Sequence, residues 1–229
     1  LMQVQPLQKP HLAMRPKMKA RLAEMDTSYA HLLEKHKKLH GSLYGRVALD
    51  LGKPGTDTLQ AEALVLKARE KPSPAHIERQ FAAARYNIIS AIGTNPPNLQ
   101  GIWGGTWSPP WTSGFTHDGN VPVAVSALLS GNTPGLMHAY MDYHERMMPY
   151  YRENARRLFG ARGIVLPAHS SSHARTIHFG KKWCLTFWTG GAAWAAGILY
   201  DYFLYTRDTA YLRKHIYPFM KDAALFYED

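Results

Sequence analysis

Apolar residues recur at alternating intervals of four and three in three separate stretches of this chain. Ile77, Phe81, Ala84, Ile88 and Ala91 form the first set. Trp188, Ala192, Ala195, Leu199 and Tyr202 form the second, and Leu212, Ile216, Phe219, Ala223 and Phe226 the third. This alternation follows the turn of an α-helix and places each set on one helix face. Strand signals, which need a period of two, are few. A helix with one apolar face must bury it against another element, so the chain is expected to be all-α, built from helical hairpins. No exact short repeat is present, which argues against a simple solenoid.

Helix ends are marked as well. Ser73 followed by Pro74 reads as an N-cap and first helical residue. Asp208 reads as the N-cap after a turn at residues 206–208. A long helix is predicted near residues 135–159, kinked at Pro149 and stopped by Gly160. Pro218 is predicted to split the third periodic stretch. Residues 18–40 read as a polar helix, SLYGRVALD as strand-like, LGKPGTDTLQ as a loop and residues 61–70 as a weak helix. The expected organisation is a basic helix and linker over residues 1–60, then a helical domain over residues 61–229.

Charge and composition exclude several classes. The chain has 229 residues, 45% of them hydrophobic, enough for a packed core and too apolar for wholesale disorder. Lys and Arg number 27 against 17 Asp and Glu, giving a net charge of +10, half of it within residues 1–40. A basic arm can bind nucleic acid, but no basic–aromatic interleaving is present, so a solvated helix face and no nucleic-acid partner are expected. No apolar run reaches the roughly 18 residues of a membrane span, so no membrane association is expected. The basic segment LMQVQPLQKPHLAMRPKMKAR lacks the apolar centre of a signal peptide. Cys184 is the sole cysteine, which excludes an internal disulfide and a Cys-based zinc site. The chain begins at Leu1 and stops at Asp229 inside an uncapped helical pattern, so it is expected to be a fragment of a longer protein.

Two long segments break the helical pattern, residues 93–120 and GIVLPAHSSSHARTIHFGKK at residues 163–182. Residues 93–120 hold six Gly, four Pro and three Trp. A loop of that length is unusual in a compact domain and is often functional. Trp103, Trp107 and Trp111 either pack as the loop's own core or offer flat faces to a sugar, whose C–H faces are apolar and whose rim is polar. Asp118 and Asn120 end the loop in THDGN. The ordinary reading makes Asp118–Gly119 a turn and Asn120 the cap of a helix starting at Val121. The functional reading aims both side chains into a cleft, where they hold a water or a sugar hydroxyl.

Glycosidic hydrolysis usually takes two carboxyl groups. Residues 93–120 contain only Asp118, and residues 161–200 contain no Asp or Glu. The two loops therefore do not supply an obvious pair. His169 and His173 are four apart in AHSSSHA, but the segment is a poor helix without a third ligand, so hydrogen bonding and no metal is expected. The serines there lack a nucleophile elbow, and no phosphate-binding glycine loop occurs.

These segments carry a resemblance. ARYNIISAIGTNPPNLQGIWGGTWSPPW is similar to the pattern of glycoside hydrolase family 95, the α-L-fucosidase and α-L-galactosidase group, in which a helix leads to PxNLQGIW and a PPW turn. RLFGARGIVLPAH, the run from WTGGAAW through YPFMKDAALFYED and, upstream, LHGSLYGRVALDLG resemble further family segments, so the likeness covers residues 27–229. It implies part of an (α/α)6 toroid with the sugar pocket at the loop end. It also implies an inverting hydrolase that needs no cofactor, acts on α-linked L-fucose or L-galactose in glycans, and in related proteins is commonly exported. The family's TxNxN pattern falls on Asp118 and Asn120, the residues expected to be catalytic. Asn120 matches, whereas Asp118 sets a carboxylate in place of an amide. The family's general-acid Glu and later Asp belong to downstream segments that have no counterpart in these residues. Trp103, Trp107, Trp111, His117 and His169 are the expected substrate contacts. The rival expectation is a non-catalytic glycan-binding or interaction module on the same helical scaffold.

Overall fold

The structure, a computed structural model, describes residues 14–52, 59–172 and 180–229. It is all-α apart from one two-stranded ladder. The chain divides into two compact units, Leu1–Gly45 and Arg46–Asp229.

The first unit contains α1 (Met14–Ala23) and α2 (Tyr29–Tyr44), neither with a buried residue. The single polar helix predicted over residues 18–40 is thus two helices. Local side-chain bonds break it: Asp26 Oδ1 accepts from the Ser28 N–H at 2.8 Å, and Ser28 Oγ accepts from the His31 N–H at 3.4 Å. Short polar side chains of this kind compete with the helical backbone and favour a fresh N-cap. The strand expected at SLYGRVALD is absent as well. Its first residues finish α2, and Val47–Asp50 is irregular, since no partner strand is at hand.

In the second unit, α3 (Ala61–Ala68) is followed by α4 (Pro74–Ala91), which starts as its signals predict. Ser73 Oγ accepts from the His76 N–H at 3.2 Å, and Pro74 occupies the first turn. The buried residues of α4 are Arg85 and Ile89, one position away from the predicted stripe. Phe81, Ala84 and Ile88 instead line a cavity of about 510 Å³ with Val47, Leu49 and Ala127. The guanidinium explains the shift: Arg85 donates to the Gly131 carbonyl at 2.5 Å, which lets a cation sit on the inward face.

The core gathers around α5 (Asn120–Ser130), α6 (Met137–Asn154), α7 (Gly191–Thr206) and α9 (Tyr217–Glu228). α6 is its centre, with Tyr140, Tyr143, His144 and Tyr151 at most 1% exposed. Pro149 stands inside α6, which runs on through a π-helical turn at Ala155–Phe159 to Gly160 in the left-handed region at φ 69°. Ala192, Ala195, Leu199 and Tyr202 of α7 are all buried, as are Ile216, Phe219, Ala223 and Phe226, so two of the three predicted stripes match except at their first residues: Trp188 precedes α7, and Trp188 and Leu212 are only partly buried. Asp208 caps the short α8 (Thr209–Tyr211) by accepting from the Tyr211 N–H at 2.8 Å. A π-helical turn, Leu212–Ile216, then joins α8 to α9. Pro218 lies just after it, in the first turn of α9, where a missing N–H is least costly.

β1 (Phe115–Thr116) and β2 (His169–Ser170) are antiparallel, with Phe115 opposite Ser170 and Thr116 opposite His169. This ladder joins the two long loops. The second loop is also fastened to α9, where the Ile164 N–H donates to the Asp222 carbonyl at 3.2 Å. Gly163 permits that approach: at φ 69°, a Cβ there would lie 2.3 Å from the Asp222 carbonyl oxygen.

Candidate functional site

The candidate residues are held by the ladder and by α6 beneath it. The His117 N–H donates to the Ala168 carbonyl at 2.7 Å, and the Asp118 N–H reaches the same oxygen at 3.3 Å. Residues 117–119 turn the chain from β1 directly into α5. The α5 helix begins at Asn120 with Gly119 as its cap, so Asn120 is not the cap that the ordinary reading made it. The Asn120 side chain is exposed and is left to solvent. Asp118 is half-buried. Burial raises its carboxyl above the ordinary range, opposed by a hydrogen bond from its own backbone N–H.

His117 and His169 are each 2% exposed. The His117 ring packs 5.8 Å from Tyr143 and 5.5 Å from His144, centre to centre. Its Nε2 lies 3.0 Å from Ser170 Oγ, which in turn lies 3.1 Å from the Tyr143 hydroxyl. Tyr143 donates to the Ser171 carbonyl at 3.3 Å. With that proton committed, Ser170 donates to Tyr143 and accepts from the His117 Nε2–H. His117 Nδ1 is then a lone-pair nitrogen, buried with no hydrogen-bond partner. Burial is the main reason that the His117 pKa drops to about 3, with the His169 charge second. His144 is likewise held well below its usual value, first by burial and then by His117, while its Nδ1 lies 3.0 Å from the Tyr151 hydroxyl. Burial pushes the Tyr143 hydroxyl up to about 12. This is a neutral His–Ser–Tyr cluster, suited to holding the turn rather than moving protons near pH 7.

The tryptophans are not the loop's internal core. Trp103 is 53% exposed, Trp107 95% and Trp111 54%. The structure brings Trp111 against Trp183 of the second loop, ring centres 5.7 Å apart, a pairing that the sequence reading did not include. Ser170, Tyr143 and His144 were missed too. Tyr143 and His144 stand in the apolar pattern of α6, but only the fold brings them under β1. His173, considered with His169 as a metal pair, lies outside the described residues. Among the described residues no three His, Cys, Asp or Glu side chains form a metal-binding group, and no helix is long and apolar enough to cross a membrane.

A carboxylate and an amide at the end of a short ladder, in a loop that also carries exposed tryptophans, are parts that suit a carbohydrate-processing site. Residues 28–229 match the model of the glycosyl hydrolase family 95 catalytic domain, and the chain belongs to that family. It is similar to alpha-L-fucosidase 2 of Arabidopsis thaliana, 28% identical over 209 residues, which cover 88% of this chain and 25% of the relative. It is also similar to probable alpha-fucosidase A of Aspergillus niger, 28% identical over 208 residues, which cover 87% of this chain and 26% of the relative. The chain thus spans about a quarter of the length of the curated relatives it matches.

Proposed function

We propose that these residues form part of an inverting glycoside hydrolase that releases α-linked L-fucose or L-galactose from glycans. Family membership supports the reaction class, and the relatives' names support the sugar. The observation that carries the site assignment is the turn after β1, which presents Asp118 and Asn120 two residues apart on a fixed backbone. In this reading the Asp118 carboxylate accepts a hydrogen bond from the attacking water, and Asn120 both donates to and accepts from water or sugar. The water oxygen bonds to the anomeric carbon as the glycosidic C–O bond breaks, a carboxylate acting as base takes the water's proton, and an acid protonates the departing oxygen. Inversion leaves room for the water, roughly 6.5–9.5 Å between carboxyl groups. That proton donor and the second carboxylate come from outside residues 93–120 and 161–200, where Asp118 is the sole acid. In this reading the general-acid Glu and the second carboxylate belong to downstream segments, as the family likeness implies, so the described residues by themselves are inactive and their helices are part of an (α/α)6 toroid.

The same shortage of acids favours the rival, a glycan-binding module without turnover. The two separate on the full-length protein with an aryl α-L-fucoside, the first-formed sugar being followed by proton NMR. Initial appearance of β-L-fucose is the expected result. An α anomer appearing first contradicts inversion, and binding without release establishes the rival.

A further inference from the structure

The turn at Pro110–Ser113 holds three successive non-glycine residues in the left-handed region: Trp111 at φ 55°, Thr112 at 54° and Ser113 at 49°. L-residues visit this region rarely and at a cost, so something must fix the turn. Backbone and side-chain bonds do so. The Thr112 N–H donates to the Pro109 carbonyl at 3.1 Å, Gln100 Nε2 to the Pro110 carbonyl at 2.9 Å, and the Leu99 N–H to the Gly114 carbonyl at 3.0 Å. The outcome is a Trp111 ring that stays more than half exposed.

Trp183 is fixed in a separate turn. Its N–H donates to the Gly180 carbonyl at 3.0 Å, and Thr186 Oγ1 donates to the same carbonyl at 2.8 Å. The two loops thus meet twice, in the ladder of Phe115 with Ser170 and in the contact of Trp111 with Trp183. Asp118 lies seven positions after Trp111. Fully extended, seven residues span at most about 25 Å, which sets an upper bound on the distance from the Trp111 backbone to that of Asp118.

We propose that Trp111 and Trp183 form a fixed aromatic subsite for a pyranose ring of the glycan beyond the sugar that is cleaved. With ring centres 5.7 Å apart and planes tilted by 47°, the two indoles pack against each other, so a pyranose lies across the outward side of the pair, its apolar C–H face on indole. The pair selects for chain length: a glycan long enough to reach it gains contact, whereas a small aryl leaving group does not. The inference rests on the glycosidase reading and deepens it, since it assigns preference for an extended carbohydrate over a simple fucoside.

The test uses the full-length protein with Trp183→Ala and Trp183→Phe. kcat/KM is measured on an aryl α-L-fucoside and on an α-L-fucosylated trisaccharide. The ratio of trisaccharide to aryl activity is expected to fall about 10-fold or more in Trp183→Ala, mainly through KM, the scale on which a buried Trp anchor counts. Trp183→Phe should restore much of it. An unchanged ratio in Trp183→Ala overturns the subsite, whether or not both rates fall together. If the wild-type protein cleaves neither compound, the hydrolase reading fails by itself, and the subsite is decided by calorimetric titration with the trisaccharide. A roughly 10-fold weaker Kd in Trp183→Ala supports it, and an equal Kd overturns it.

Discussion

The two sides of the turn after β1 are built on opposite rules. Beneath it, His117, Ser170 and Tyr143 are almost wholly buried, and each spends polar atoms on another side chain. On its other side Asn120 is exposed and Asp118 is half-buried, and elsewhere in the loop Trp103, Trp107 and Trp111 keep more than half of their surface exposed. Asn120 lies three positions after His117, so a single turn serves both regimes. Buried polar groups cost stability unless paired, and once paired they fix geometry. The lesson is that the buried side supplies rigidity to a turn whose Asp118 and Asn120 keep contact with solvent.

The comparison can be broken most severely from below. Tyr143→Ala removes a fully buried ring and the hydroxyl on Ser170, and should cost about 3–5 kcal/mol in denaturant unfolding. Acid is the next lever. His117 and His144 are neutral when folded, with pKa values lowered by burial, whereas the unfolded chain takes up their protons below about pH 6.5. The unfolded state therefore binds more protons, and stability falls as pH drops from 6.5 toward 3. By pH 5 the loss from His117 alone should approach about 2 kcal/mol, and His144 adds to it in the same direction, read as a falling unfolding midpoint. Replacing His144 with Leu should flatten that slope.

Smaller effects sharpen the contrast. Tyr143→Phe keeps the ring and removes only the hydroxyl, so about 1–2 kcal/mol is expected from the same unfolding curves. Trp107→Ala, at a side chain 95% exposed, should change stability by less than about 0.5 kcal/mol. A large loss there would mean that the exposed loop also carries structure.

What the sequence made legible follows from the range of the interactions. The stripes of α7 and of the run from Leu212 to Phe226 could be read because burial there is apolar and helical spacing is local. The stripe of α4 was displaced because an arginine, paired to a carbonyl, took the inward face. Asp118 and Asn120 stood out as polar residues at the end of a loop. Their support did not, since Ser170 lies 53 residues from His117 and 27 from Tyr143, and a ladder with two residues per strand leaves no periodic trace. The meeting of Trp111 with Trp183 was hidden for the same reason.

The central claim is that the exposed face acts while the buried face holds. Its most direct test is Asn120→Ala in the full-length protein, with kcat and unfolding free energy measured on the same preparation. The account predicts a fall in kcat of about 10²-fold or more, the scale of a positioned catalytic group, with stability changed by less than about 0.5 kcal/mol. Near-normal turnover, or a loss of activity that merely follows a loss of stability, would contradict it.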